Sequence, residues 1–499
     1  LVGSEMCIRD RYCIVKLKAR LKINLRSVAH MEWIQQFQLV LTDAVGKVNG
    51  FLWDFALLFL LCGTGIFFTL RLRFIQVRKF GASFKATFGA IKFKGEAADG
   101  SGMSSFQSLA TAIAAQVGTG NIVGAATALI AGGPGAIFWM WMSAFFGMAT
   151  IYSEAVLAQK FKTVRNGEVT GGPSFYIRAA FKGTFGKVLA AIFSVLIIFA
   201  LGFMGNMVQS NSIGDSFKNA FGIEPIYVGI AVAVFAGIIF LGGVKRIASV
   251  TEKMVPIMAV FYIIGSMIII IANFKNIPDA FRQIFVGAFS PSSVLGGVIG
   301  ITVQKAMRYG VARGLFSNEA GMGSTPHAHA IAKVKHPSEQ GIVAMMGVFI
   351  DTFIILTLTA LVILTTGVLD LGMSGKVDAA GLAQEGFKSI FGNAGSIFIA
   401  ICMLFFAFST IIGWYFFGQT NVKFLFGKKA VIPYTVFVLI FIVIGSSLKV
   451  DLVWALADCF NGLMVIPNLI AVLALSGVVV KLTKEFEESS GTNALKAKA

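Results

Sequence analysis

The sequence predicts an all-α polytopic membrane protein of about eleven transmembrane helices, one peripheral plus a 5+5 inverted repeat with two broken helices. Three observations predict it. Of the 499 residues 56% are hydrophobic and 13% charged, with 48 Phe and a mean hydropathy of +0.81, more apolar surface than a soluble core can hide. The Lys and Arg residues gather in alternate short loops between apolar runs. Two of those runs are interrupted by a Gly-x-Gly, about 200 residues apart.

Taken in order, residues 1–30 read as a non-native leader: LVGSEMCIRDR resembles a vector scar, and the basic run to Arg26 has no apolar core of the signal-peptide kind. Met31 is the more natural start. Residues 31–50 form a mildly amphipathic interfacial segment and 51–72 a peripheral transmembrane helix. The first five-helix repeat covers 106–273 and the second 294–482, and 483–499 form a cytoplasmic tail. Within them the expected spans are 106–131, 134–159, 188–211, 225–243, 255–273, 294–330 (broken), 343–367, 394–420, 432–447 and 452–481.

Loop charge sets the orientation. With the first span running outside to inside, about 25 Lys and Arg fall on inner segments and about 7 on outer ones, which puts the amino terminus outside and the carboxyl terminus in the cytoplasm. The formal net charge of +18 therefore reflects topology, and nucleic acid is excluded as a partner. Cys62, Cys402 and Cys459 lie inside spans and Cys7 and Cys13 in the leader, so the cysteines form no disulfide framework.

The first interruption lies in Ser108–Gly133, where Gln116-Val117-Gly118-Thr119-Gly120-Asn121 separates two apolar halves. Unpaired backbone at mid-membrane costs several kcal/mol per group, so a break persists only where it lines a cavity or holds a ligand. Gly118 and Gly120 let backbone approach a solute, and the half-helix starting near Gly120 offers N–H groups and a positive dipole end to a carboxylate. Gln116, Thr119 and Asn121 in the same turn argue against mere small-residue helix packing. The second interruption is GLFSNEAGMGSTP, from Gly314 to Pro326. Five spans separate the breaks, an odd number, so the halves have opposite topology, the pattern of a secondary-transporter site at the bilayer midplane.

AAQVGTGNIVGAATAL, GLFSNEAGMGSTPHAHA and FSTIIGWYFFG together resemble the alanine or glycine:cation symporter family, the sodium:alanine symporters of prokaryotes. The resemblance runs from about Met31 to the carboxyl-terminal tail. It implies a leucine-transporter-type fold, a prokaryotic plasma membrane location and amino-acid uptake driven by a sodium gradient. On the FSNEAG motif, Phe316 is expected to close over the solute and Ser317 or Asn318 to bond it, with the break at Gly321 and Gly323. By analogy with the leucine-transporter fold, Ser409 and Thr410 would complete a sodium site with the carbonyls of Ala114 and Val117. Trp414, one turn beyond, is expected to line the solute pocket and limit its size.

Other polar residues read as structural. Glu319 is expected to be satisfied within the break, and Asn206 and Gln209 either face the cavity or bond between helices. Glu154, near the inner end of its span, and Asp351, at the cytoplasmic start of its own, read as interface anchors. Arg308 and Arg313 must face water or protein, without an assigned partner. His327 and His329 sit about 160° apart on a helix and cannot share an ion. No HExxH or P-loop is present, which argues against primary active transport, and no catalytic pair supports an intramembrane enzyme. The function expected is sodium-coupled symport of alanine or glycine by alternating access, with no cofactor beyond the coupling ion. The partners are a small amino acid, sodium and membrane lipid; the sequence names no partner protein. Proton-coupled symport and, less favoured, a solute channel are the alternatives.

Overall fold

A computed structural model describes residues 40–89, 102–165, 167–291, 294, 301–448 and 451–496. The leader, residues 31–39, Cys7 and Cys13 lie outside the described residues, as does 295–300 of the second broken span. Among the described residues, eight helices are long and apolar enough to cross a membrane, and Ser105–Gln116 with Gly120–Gly132 makes a ninth span, bent by 49°. Pro225–Leu241 and the broken pair Val303–Asn318 and Pro326–Ala330 stand at the two remaining expected places.

The spans thus run Val40–Arg71; the first broken span; Gly135–Lys160; Gly183–Phe221; Pro225–Leu241; Gly243–Ala272; the second broken span; Pro337–Thr366; Asn393–Phe426; Val431–Ser447; and Asp451–Ala474. The first stands outside two five-span halves, each opening on a broken span. Outward faces carry large apolar side chains such as Phe59, Phe235, Ile264 and Ile432, as a lipid-facing surface requires. Inner faces carry small residues: a Cβ on Gly135 would run into the backbone of Gly287, and one on Gly310 would come 2.7 Å from Trp139 Cβ.

Several elements depart from expectation. From Val40 the segment read as interfacial is the opening of the first span's own helix, with Leu41, Val45, Val48 and Leu52 keeping helical spacing through Gly46 and Gly50. The helix Ile277–Phe289, amphipathic with Phe285 and Phe289 exposed, fills what reads as a loop; Pro278 suits its first turn and Asp279 pairs with Arg282 at 3.0 Å. A short hairpin pairs Thr163–Arg165 with Glu168–Thr170. The last span ends at Ala474, and Ser476–Lys496 form a separate helix in place of a plain tail. That helix is tied down by Glu487 on Arg78 (2.9 Å) and Lys79 (3.6 Å), and by Thr483 with Tyr152 (2.9 Å).

Among the described residues four stretches wind as π-helix: Leu52–Ala56, Gly120–Gly124, Ile198–Gly205 and Phe349–Leu356. Each adds a residue to a turn and re-aims the side chains beyond it. The last three lie on spans that meet at the breaks.

Candidate functional site

The first helix stops at Gln116 because Val117 turns extended (φ −83°, ψ 92°), with its N–H still on Ile113 O at 2.7 Å. The next amide, Gly118 N, would continue the ladder onto Ala114 O, but it donates instead to Asn121 Oδ1 at 2.9 Å. Thr119 N donates to Gln209 Oε1 at 3.2 Å. The carbonyls left over are met from the ninth span, where Thr410 Oγ1 lies 3.0 Å from Ala114 O and 3.4 Å from Val117 O. The approach is so close that a Cβ on Gly118 would collide with Thr410 Oγ1, and one on Gly120 would come 3.0 Å from Ser317 Cα. These two glycines therefore serve close approach.

Ser409 is also fully buried, yet it takes another direction. Its hydroxyl donates to Phe406 O on its own helix at 2.8 Å, with Met258 Sδ at 3.5 Å. Thr410 shares the Phe406 carbonyl at 3.0 Å, so one hydroxyl of the adjacent pair bridges to the break while the other stays on its helix.

The second break is held by charge. Helix Val303–Asn318 ends on Glu319, which adopts the left-handed conformation (φ 57°) unusual for a residue with a side chain. Gly321 and Gly323 follow with φ of 87° and 78°, which glycine alone adopts readily. Their amides donate to the two oxygens of Glu154, each at 3.0 Å, and Asn468 Nδ2 donates to the same carboxylate at 2.6 Å and to Gly321 O at 2.9 Å. Five residues along the third span, Gln159 Nε2 donates to the carbonyls that end the half-helix, His329 O at 2.5 Å and Ala332 O at 2.9 Å. One span thus grips the chain on both sides of Pro326–Ala330, a carboxylate on the turn before it and an amide on the carbonyls that end it.

Glu319 is satisfied within the break, accepting from Ser324 Oγ at 2.5 Å and from the indole Nε1 of Trp414. His327 Nδ1 faces Ser324 O at 2.7 Å and so carries the proton, leaving Nε2 to accept from Asn421 Nδ2 at 2.8 Å; this is a neutral structural imidazole. Among the described residues no cluster of metal-ligating side chains is present.

Asp351 corrects its sequence reading. Its helix starts at Pro337, not near 343, so Asp351 lies fourteen residues in, about 21 Å along at 1.5 Å per residue, and is fully buried. Oδ1 accepts from Asn121 Nδ2 at 2.6 Å and from Ser317 Oγ at 2.9 Å, one donor from each broken span, and Oδ2 accepts from Thr352 Oγ1 at 2.8 Å. Gln116 Nε2 adds a second tie between the breaks, donating to Asn318 O at 2.7 Å, while Asn318 Nδ2 donates to Thr352 Oγ1 at 3.1 Å.

An aromatic wall closes one side. The Phe316 ring meets Trp414 edge-on (5.9 Å between centroids, 88°) and Trp454 at 5.3 Å. Arg313 lies over Phe316 and Trp454 and pairs with Asp458 through two contacts of 2.6 and 3.2 Å, while Arg308 pairs with Asp54 at 2.7 Å. Both arginines thereby gain the partners the sequence left open.

The structure brings Gln116, Gly118, Thr119, Gly120, Asn121, Phe316, Ser317, Asn318, Gly321, Trp414, Ala114, Val117 and Thr410 to the two breaks and the helix facing them, all buried. Gln209 faces the first break; Asn206 bonds back to Gly202 O at 3.0 Å. Sequence reasoning missed the roles of Asp351, Glu154 and Asn468. The signal for the first two was present, since a carboxylate within an apolar span is a functional candidate by default.

The model of the sodium:alanine symporter family matches residues 38–498. The chain belongs to the sodium:alanine symporter family. It is 44% identical over 446 residues to the sodium/alanine symporter AgcS of Methanococcus maripaludis, covering 89% of this chain and 97% of that one. It is 42% identical over 452 residues to the "Probable sodium/glutamine symporter GlnT" of Bacillus subtilis, covering 90% and 91%. Among solved structures, MhsT in complex with L-phenylalanine matches with a TM-score of 0.51 at 14% identity, over 77% of this chain and 98% of that one. The Eremococcus coleocola manganese transporter matches with a TM-score of 0.50 at 14% identity, over 79% and 82%. These likenesses show the leucine-transporter-type fold. As a member of the symporter family the chain is a membrane transporter and not an enzyme.

Proposed function

We propose that this symporter couples sodium to the uptake of a small neutral amino acid, alanine or glycine, by alternating access across a prokaryotic plasma membrane, amino terminus outside and carboxyl terminus in the cytoplasm. The observation that carries the reading is the meeting of Thr410 Oγ1 with the released carbonyls of Ala114 and Val117. Neutral oxygens converging from two helices suit a hard monovalent cation. Sodium sits there between the ninth span and the first break, and Ser409 joins only by rotating off Phe406 O. The solute lies between the breaks, against Gln116, Gly118, Thr119, Gly120 and Asn121 on one side and Phe316, Ser317, Asn318 and Gly321 on the other. Trp414 forms the end wall.

Coupling follows from shared backbone. A cation that fixes the Ala114 and Val117 carbonyls stiffens the turn that presents Gly118 to Asn121, so sodium raises solute affinity and the solute raises sodium affinity by the same factor. A second reading, proton coupling, is favoured by one observation: Glu154, Glu319 and Asp351 are fully buried and the hydrogen-bond partners described above for them are all neutral.

Counterflow uptake into proteoliposomes with a panel of small L- and D-amino acids, with and without sodium, tests both. Saturable alanine or glycine uptake that collapses without sodium is the expected outcome. Uptake that follows pH at clamped potential and ignores sodium would instead establish the proton reading.

A further inference from the structure

Asn461, on the span Asp451–Ala474, is 1% exposed, and among the described residues neither its Oδ1 nor its Nδ2 has a hydrogen-bond partner. Native structures rarely leave a whole amide in this condition, because each buried unpaired group costs free energy that an apolar residue would avoid. Its position is specific. At about 100° per residue, Trp454, Asp458, Asn461 and Asn468 share one helix face. The other three all touch the second broken span: Trp454 meets Phe316, Asp458 pairs with Arg313, and Asn468 donates to Gly321 O. Asn461 lies one turn, about 4.5 Å, past Asp458 toward Asn468. The face therefore presents it to the stretch between Arg313 and Gly321, where the helix opens.

We propose that Asn461 is a substrate-contacting residue, its amide donating to the carboxylate or accepting from the ammonium of the bound amino acid; the proposal rests on the amino-acid transport reading above. A side-chain amide carries a donor and an acceptor on separate atoms, which suits a zwitterion. A carboxylate here would repel half of the ligand. The contrast with Asn468 is direct: that residue spends its amide on Glu154, Gly321 O and Tyr176, and is structural.

The test compares Asn461→Leu, Asn461→Asp and Asn468→Leu in alanine uptake by proteoliposomes and in thermal unfolding of the solubilised protein with and without alanine. In Asn461→Leu the unfolding midpoint without alanine stays level or rises, because an unpaired amide is removed. Its KM for alanine rises at least about tenfold with the maximal rate little changed, and alanine no longer raises the midpoint. Asn468→Leu lowers the midpoint. Asn461→Asp keeps shape and acceptor but loses the donor, and carries the same tenfold expectation should the leucine variant not fold. A KM within threefold of wild type in the folded variants, or a midpoint in Asn461→Leu that falls as it does in Asn468→Leu, overturns the proposal. A wild-type protein that takes up no amino acid of the panel overturns the transport reading itself, before any variant is compared.

Discussion

In the first break the peptide groups released between Gln116 and Gly120 are met by neutral side chains, Asn121, Gln209 and Thr410. In the second, those released between Asn318 and Ser324 are met mainly by the carboxylate of Glu154, with Glu319 turned inward onto Ser324 and Trp414. Charge-assisted bonds are roughly twice as strong as neutral ones, and a buried carboxylate that loses its donors leaves an uncompensated charge. The second break is therefore a fixed joint, bolted to the third span. The first is one where a cation or solute can replace a protein group at small cost.

The largest effect expected from this contrast is on stability at the second break. Glu154→Leu orphans the amides of Gly321 and Gly323 and one N–H of the Asn468 side chain, at about 1–3 kcal/mol each, so the variant should not survive solubilisation as a folded species. Glu154→Gln keeps an acceptor for one amide and turns a donor on the other, so its unfolding midpoint should fall between leucine variant and wild type. Size-exclusion profiles and thermal unfolding read both. A Glu154→Gln protein as stable as wild type would erase the distinction between the joints.

Next in size is Asp351, where the two breaks meet on a single oxygen. Asp351→Asn can place its Oδ1 for only part of the job, because its new amide faces either the Asn121 amide, donor against donor, or a Ser317 or Thr352 hydroxyl that must turn round to accept. We expect a folded protein whose maximal uptake drops by one to two orders of magnitude, measured in proteoliposomes at saturating alanine and sodium. Loss of folding without loss of turnover in the surviving fraction would make Asp351 part of the fixed joint instead.

The breaks were legible in the sequence because glycine and amide residues interrupt apolar runs in a way that few structures other than a ligand site tolerate. The spans were legible for the same reason, since hydrophobic length is a strong signal. The closing groups were not. Glu154 and Asp351 are far in sequence from the amides they hold, 167 residues from the Gly321 N–H and 230 from the Asn121 side chain. Asp351 was also misplaced because the helix begins at Pro337, within a polar stretch that hydropathy reads as loop. The amphipathic helix Ile277–Phe289 escaped because its apolar face is only a stripe, too narrow for a hydropathy window. The divided roles of Ser409 and Thr410 were equally hidden, as two adjacent hydroxyls are about 100° apart on a helix and only the packed structure says which faces the break.

Thr410→Val sharpens the account of the first break at a moderate level. It keeps the shape, removes the hydroxyl and leaves Ala114 O and Val117 O without it, so half-saturation by sodium should rise about tenfold, equivalent to ~1.4 kcal/mol. The unfolding midpoint without sodium should fall by less than in Glu154→Leu, since one hydroxyl proton is shared among three carbonyls and Phe406 O keeps Ser409. A large fall in stability with unchanged sodium dependence would turn the first break into a second fixed joint.

The smallest effect belongs to Ser409→Ala. Its hydroxyl donates to Phe406 O, which Thr410 also bonds, and its other neighbour is the Met258 thioether, a weak acceptor and no ligand for a hard cation. Removing it leaves no carbonyl orphaned and opens only the volume of one oxygen. Sodium half-saturation should therefore stay within about threefold of wild type, several times less than the shift at Thr410, when both variants are titrated in the same uptake assay. Equal shifts at the two positions would mean that Ser409 leaves Phe406 O when sodium binds and turns toward the break. The loaded site would then hold two hydroxyls from the ninth span.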